Sequence, residues 1–502
     1  MRGIMIQGTA SDVGKSLIAT ALCRMLINEG IKVAPFKAQN MSNNSYVTRD
    51  GKEIGRAQGI QAEAAKIDAT EWMNPILLKP RSAQDSEVVL LGTVYDTLSG
   101  SSYREQFYEK GLEVIKDALD QLEKQYGTVV IEGAGSPVEI NLKSRDLVNM
   151  KAAELADVPV VLVADIDRGG VFASIVGTLE LMEPEERQRV AGVIINKFRG
   201  DITLFEEGIQ WLEAKTGIPV LGVLPFVENH RIDGEDSLSI QQQFSRPKVG
   251  VLDIAVIQLP YISNYSDLEP FLYEEDVSIR WVKDKEVFGH PDAIIIPGTK
   301  STIHDLRKIK ENGLADLIQI HIESGGYTIG LCGGYQILGE EILDEAGSDT
   351  GKPNFSIKGL GWIPAKTTFR KGKETTRLRG EYHQDTGLSS GQVLDGYEIH
   401  LGKTSLMEKG CSFLKLENGE SEGYYGKNGQ IIGTYLHHLF HNDEWRTLWL
   451  NMIRNRAGLP LQEIRNSHDD KDKRYDFLAA QMKRHLRWDL IKEMVLKGSM
   501  GR

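Results

Sequence analysis

Residues 8–16 read GTASDVGKS, between an apolar run, GIMIQG, and a long helical pattern, SLIATALCRMLINEG. A glycine-rich turn between a strand and a helix is a phosphate cradle. The glycines let successive backbone N–H groups close around phosphate oxygens, and the helix brings the positive end of its dipole to the same point. Gly8, Thr9, Gly14, Lys15 and Ser16 form the candidate nucleotide site. Lys15 is placed to reach the β- and γ-phosphates and Ser16 to ligate Mg²⁺. The loop is one residue longer than the usual G-x₄-G-K-S.

The surrounding pattern fits that reading. KVAPFK, YGTVVIEGAG, PVVLVADID, VAGVIINKF and IPVLGVLPF are Val- and Ile-rich runs without polar alternation, as expected of strands buried on both faces. Helical stretches such as GRAQGIQAEAAKI separate them, and strands alternating with helices indicate a parallel α/β sheet. Polar residues from about 229 to 246, closed by Pro247, read as a linker. A second strand series follows: KVGVLDIAVIQLP, DAIIIPGTK, YTIGLCGGYQIL, GYEIH and IIGTYLHH. The expected organisation is an ATP-binding domain over 1–230, a linker over 231–247, a second doubly wound α/β domain over 248–450 and a helical segment over 451–502.

Bulk properties exclude several classes. A chain of 502 residues suggests roughly two to four domains. A net charge of −12 argues against a general nucleic-acid binder. No apolar run approaches the ~18 residues of a membrane span. The three cysteines, Cys23, Cys332 and Cys411, are far apart and odd in number, so a disulfide framework is not expected and a cytoplasmic setting is.

Three further stretches carry chemistry. Glu132, in VVIEGAGS, ends a strand at the sheet edge where α/β proteins bind ligands, and an acid there can complete a Mg²⁺ shell. The loop KAQNMSNNS sets Asn40, Asn43 and Asn44 beside the phosphate site, for ligand contact or helix capping. GLCGG places Cys332 between a strand and a helix, a nucleophile elbow with sulfur in place of hydroxyl. The helix N-terminus lowers the thiol pKa. The Gly333 N–H is placed to stabilise an oxyanion, with a second donor from the turn Pro297–Lys300 at Gly298. A thiol nucleophile needs a base, and the strand IIGTY delivers His437 at its C-terminal end. His438 and His441 complete HHLFH, whose spacing lacks the companions of a zinc site.

These stretches, with INLKSRDLVNM, DIDRGGVFAS, NKFRGD, PGTKST and GYEIHLGKT, resemble in order the CobQ/CbiP cobyric acid synthase family over roughly residues 1–450. The resemblance implies an N-terminal ATP domain similar to dethiobiotin synthetase, whose longer G-x₅-G-K-[ST] loop accounts for the extra residue. It assigns Lys37 to the nucleotide site, Glu132 to Mg²⁺ and Asn196 to adenine contact. It also implies a class I-type glutamine amidotransferase domain with Cys332 as nucleophile, His437 as base and Gln336 contacting glutamine. Many such domains carry H-x-E, whose Glu orients the His, but position 439 here is Leu. A Cys–His dyad with modest intrinsic glutaminase activity is therefore expected.

The implied reaction is ATP-driven, glutamine-dependent amidation of the b, d, e and g carboxylates of adenosylcobyrinic acid a,c-diamide, with ammonia passing along a shielded path. KAQNMSNNS and VEINLKSRDLVNM are candidates for the substrate surface and Asp165 and Asp167 for a place near the metal, with structural capping as the competing reading; His400 is a candidate for a substrate role or for packing. Cobyrinic acid a,c-diamide synthase shares both domains and is the nearest alternative. A partition-type P-loop ATPase switch is another, and would lack Cys332 and His437.

Overall fold

The computed structural model describes residues 1–80, 85–99, 107–141, 143–227, 251–389, 391–465 and 467–498. The expected linker over 231–247 lies outside them. The chain forms two compact units: Met1–Ser42 with Lys52–Asp233 and His468–Arg502, and Asn43–Gly51 with Gly234–Ser467.

The first unit is built on a six-stranded parallel sheet. Its centre is β1 (Arg2–Gly8), flanked by the strands Thr128–Glu132 and Val160–Asp165. β2 (Ala34–Phe36) forms one edge; Val190–Phe198 and Val220–Pro225 extend the other. The central runs are buried throughout, as their unbroken apolar character requires. α1 (Lys15–Asn28) follows β1 and packs Ile18, Leu22 and Leu26 against the sheet. α2 (Arg56–Ala64) lies beside α1 and is buried along almost its whole length.

The C-terminal residues depart from the expected separate segment. The helix Asp443–Arg456 packs Trp445, Trp449 and Leu450 into the second unit's core. The helices Ser467–Lys483 and Trp488–Lys497 join the first unit, where Leu478, Trp488 and Ile491 enter the same core as α1. Arg24, fully buried on α1, is held there by Asp472 and Asp476.

The second unit is a mixed sheet of eleven strands. Its parallel part runs Val277–Val282, Leu252–Ile257, Ala293–Ile296, Tyr327–Leu331, Ile431–Thr434. Mostly antiparallel pairings, including the long pair Ala365–Tyr382 and Val393–Leu406, complete it, with Glu341–Asp344 joined parallel to Ala365–Tyr382. Ile296 pairs with Gly330 and Leu331 with Thr434, so these three strands end level. The fold class is α/β, as read from the strand runs.

Candidate functional site

Each unit gathers its chemistry at the carboxyl ends of its parallel strands, where such sheets place their sites. In the second unit four strand ends contribute. Tyr327–Leu331 stops at Cys332, the residue before the short helix Gly333–Leu338. Cys332 has φ 49° and ψ −107°, a conformation costly for a residue with a Cβ, as a nucleophile elbow demands. The flanking glycines are steric necessities: a Cβ on Gly334 would lie 1.9 Å from the Ile296 carbonyl oxygen. Gly298, after the strand Ala293–Ile296, sits against both Cys332 and His437; a Cβ there would stand 3.2 Å from His437 Cε1 and 3.6 Å from Cys332 Cβ. Gly298 and Gly333 thus flank the thiol.

His437 is fully buried beyond the end of Ile431–Thr434. It is not left unoriented. Its Nδ1 lies 2.7 Å from Asp267 Oδ2, and the second carboxylate oxygen accepts the His438 backbone N–H at 2.8 Å. The expectation of a dyad without a carboxylate is therefore corrected. The acid arrives from the 3₁₀ helix Tyr265–Tyr273 that follows the strand Leu252–Ile257, about 170 residues upstream in the chain, and stands in for the Glu missing at Leu439. Tyr397 stacks on the imidazole with ring centroids 5.3 Å apart, and its backbone N–H and C=O pair with those of His437. The Asn264 amide nitrogen lies 3.0 Å from His437 Nε2. His438 and His441 stay outside this contact; His441 Nε2 lies 2.8 Å from the Ser266 carbonyl oxygen.

The electrostatics follow from these neighbours. Burial pushes the Cys332 thiol up, but the hydrogen bond to His437 and the charges of His437, His400 and Lys300 outweigh it and hold the thiol below its ordinary value. Burial opposes charge on His437, yet Asp267 and Cys332 raise it to about 10. A thiol lowered and an imidazole raised both favour a thiolate–imidazolium pair. Burial pushes Cys23 and Cys411 up. Iodoacetamide, a small reagent carrying a carboxamide like that of glutamine, should therefore alkylate Cys332 first. Its rate should level off at a lower pH than that of an ordinary thiol. A rate still rising tenfold per pH unit through pH 8 would contradict the ion pair.

Gln336 is buried with both ends of its amide engaged: Oε1 accepts from the Thr302 hydroxyl at 3.0 Å and Nε2 donates to the Tyr435 hydroxyl at 3.0 Å. This network ties the helix after Cys332 to the strand that delivers His437. His400 stacks on Tyr435 with centroids 3.7 Å apart and pairs through Nε2 with Glu398 at 3.0 Å. Burial works against its charge, but Glu398 and Cys332 raise its pKa.

In the first unit the loop after β1 wraps the start of α1. Lys15 Nζ donates to the carbonyls of Ala10 and Gly135, at 3.0 and 3.1 Å. Gly14, with φ 102°, leaves no room for a Cβ, which would stand 2.2 Å from the Asn196 amide nitrogen. That nitrogen donates to the Val13 carbonyl at 2.8 Å, so Asn196 props the loop from beneath. Thr9 N–H bonds the Val163 carbonyl at 2.9 Å. Glu132 pairs in register with Ile6 and is almost fully buried. Its Oε1 accepts from the Ser16 hydroxyl at 2.8 Å and from Lys37 Nζ at 2.9 Å. Gln61 Nε2 donates to Oε2 at 2.6 Å. The Ser16 hydroxyl and Glu132 carboxylate are adjacent hard oxygen donors, the type Mg²⁺ takes. Asp165 accepts from Lys197 Nζ at 2.8 Å and from the Asp167 backbone N–H at 2.8 Å. Asp167 pairs with Arg199. These two acids are thus engaged by basic and backbone groups.

Two contributions escape the sequence motifs. Asp267 lies in YISNYSDLEP, which reads as an ordinary polar turn; its signal is that Ser266, Asp267 and Glu269 are acidic or polar yet flanked by apolar residues. Gln61 lies in a stretch read only as a helix, where Gln58 and Gln61 share one face at i, i+3.

A family model for the CobQ/CobB/MinD/ParA nucleotide binding domain matches residues 4–239, and one for the CobB/CobQ-like glutamine amidotransferase domain matches residues 253–445. Cobyric acid synthase of Geobacillus thermodenitrificans is 48% identical, with 98% of each chain covered. Those of Desulforamulus reducens and Streptococcus sanguinis are 46% and 44% identical, with 98% and 99% of each chain covered. Among the described residues no helix is long and apolar enough to cross a membrane.

Proposed function

Because this chain belongs to the cobyric acid synthase family, an enzyme family of amide-forming ligases, we propose that it amidates the b, d, e and g carboxylates of adenosylcobyrinic acid a,c-diamide with ATP and glutamine. The observation that supports this most is the pairing, in one chain, of a Cys332–His437–Asp267 constellation with a Lys15–Ser16–Lys37–Glu132 cluster.

The division of labour follows from the chemistry. A carboxylate has no adequate leaving group. One oxygen therefore attacks the γ-phosphorus of ATP; the new O–P bond forms as the bond to the β-phosphate oxygen breaks, giving an acyl phosphate and ADP. Lys15 and Lys37 carry the positive charge that offsets the phosphoryl oxygens. Ser16 and Glu132 are the residues that would hold Mg²⁺, which when bound supplies further charge neutralisation there. In the other unit Cys332 attacks the glutamine side-chain carbonyl. His437 passes its proton to the departing nitrogen, releasing ammonia and leaving a thioester that water opens to glutamate. Gly298 and Gly333 line the position of the developing oxyanion. Ammonia then attacks the acyl phosphate, forming the C–N bond, expelling phosphate and losing one proton to solvent.

Incubation of the full chain with the a,c-diamide, ATP and glutamine, read by mass spectrometry, tests the assignment. Four successive replacements of hydroxyl by amino are expected. No change with the a,c-diamide, but two replacements from the parent cobyrinic acid without amides, would transfer the assignment to the a,c-diamide synthase.

A further inference from the structure

The glutaminase unit carries a second group of convergent donors that the proposed reaction does not use. It lies on the long antiparallel pair Ala365–Tyr382 and Val393–Leu406, where Glu374 stands directly opposite His400. Glu398, two residues before His400 on the same strand, shares its face. The ladder is interrupted at this point: Phe369 pairs with Gly402, and residues 370–373 bulge out opposite Leu401 alone. A bulge re-aims the side chains beside it. One ligand atom from each of Glu374, Glu398 and His400 lies within 4.8 Å of the other two. His400 Nε2 is 3.0 Å from Glu398 Oε2 and 3.8 Å from Glu374 Oε2.

The hydrogen bonding of His400 shows what is needed among these groups. Its Nδ1 lies 2.7 Å from the Gly402 carbonyl oxygen, which can only accept, so Nδ1 carries a proton. The neutral imidazole then turns a lone pair at Nε2 toward two carboxylates, which also only accept. Three acceptors converge, and a cation has to stand among them. A proton on Nε2 satisfies one carboxylate; a divalent ion satisfies both. An Nδ1–H bond to a backbone carbonyl, with Nε2 left as electron-pair donor, is the usual support of a metal-bound imidazole. The cluster is also open to solvent. The His400 side chain is 5% exposed and forms its floor, whereas those of Glu398 and Glu374 are 16% and 64% exposed.

We propose that Glu374, Glu398 and His400 bind a divalent cation of the zinc class, with water completing its shell. One imidazole and two carboxylates with a position left open is a donor set that Zn²⁺ takes. The imidazole weighs against Mg²⁺ and Ca²⁺, which prefer oxygen throughout. Glu374, the exposed member, closes on the ion by rotating its side chain. The ion pins the two strands together beside the bulge and fixes the ring of His400, which stacks on Tyr435 with centroids 3.7 Å apart. The Tyr435 hydroxyl in turn accepts from Gln336, on the helix that follows Cys332. The site is a structural clamp next to the glutaminase machinery and not a member of it. It stands independently of which carboxylates the enzyme amidates.

The test uses the full chain, stripped with a chelator and returned to millimolar Mg²⁺, with no corrinoid, ATP or glutamine present. Every sample carries Cys332→Ser, so that the thiol holds no zinc. Equilibrium dialysis against Zn²⁺ should count one more ion per chain in this parent than after a further His400→Gln or Glu398→Gln. Glu374→Gln, at an exposed position where the fold is not at stake, should weaken that ion's binding by about tenfold or more. Zn²⁺ should raise the melting temperature of the parent, because an ion that binds only the folded chain stabilises it, and should leave that of His400→Gln unmoved. Equal zinc stoichiometry and affinity in the parent and all three variants, or no zinc held by the parent, would overturn the site. So would a Glu398→Gln change, made with Cys332 intact, that raises KM for glutamine and leaves zinc binding as it was: the carboxylates would then belong to the α-ammonium group of the substrate.

Discussion

Cys332→Ser is expected to abolish amide formation from glutamine while leaving formation from ammonium chloride intact. The loss in glutamine-supported turnover should be about 10³-fold or more, because a serine hydroxyl cannot take the thiolate's place in the ion pair with His437. The elbow itself should survive: oxygen for sulfur changes neither the positive φ at this position nor the glycines around it. Glutamate release measured side by side in the two proteins is the decisive comparison. Equal rates would remove Cys332 from the mechanism whatever its geometry.

Asp267→Asn should be nearly as damaging, for a reason specific to this site. Asp267 Oδ1 accepts the His438 N–H, and Oδ2 faces His437 Nδ1. An asparagine would keep its oxygen on the His438 N–H and turn its amino group toward Nδ1. That nitrogen would then have to accept, the ring proton would move to Nε2, and the base would face the thiol in the wrong tautomer. A fall of about 10²–10⁴-fold in glutaminase kcat is expected. The alkylation profile provides a second reading. Without the negative charge that raises His437, the thiol should lose its imidazolium partner and its pKa should rise, so alkylation at pH 7 slows. An asparagine variant within threefold of wild type in both measurements would show that Asp267 only fills space. Neither change should affect ammonium-supported amidation.

These two variants also mark what was legible in the chain and what was not. Cys332, its glycines and the phosphate loop are each written in a few contiguous residues, because an elbow and a cradle are local backbone shapes. Glu132 and His437 are readable for a related reason: a strand that ends abruptly at a polar residue announces a sheet edge. Asp267 meets His437 only because two strands that are non-adjacent in sequence end at the same edge, and no local pattern records that meeting. Leu439 correctly signals that the usual carboxylate is missing, but not that another has replaced it. Gln58 and Gln61 were hidden differently. An amide pair at i, i+3 reads as the polar face of a helix, and only burial shows that this face is not in water. The return of residues 468–498 to the first core likewise has no local signature, since an amphipathic helix does not specify which apolar surface it covers.

The nine residues Asn43–Gly51 bear on how such a protein can be dissected. They follow the loop that carries Lys37 and Asn40, yet they belong to the glutaminase unit. There Asn44 accepts the Tyr265 N–H, the Ser45 carbonyl accepts the Tyr397 hydroxyl, and Val47 packs on Tyr397 and Ile399. Tyr397 is the ring stacked on His437. Severing the chain between 228 and 250 therefore does not yield two autonomous pieces: the carboxyl-terminal fragment lacks a strip that buttresses its own base, and the amino-terminal fragment lacks the helices that close its core. Gene-level modularity and structural modularity do not coincide here, and a recombinant glutaminase fragment would need those nine residues grafted back to be a fair stand-in for the domain.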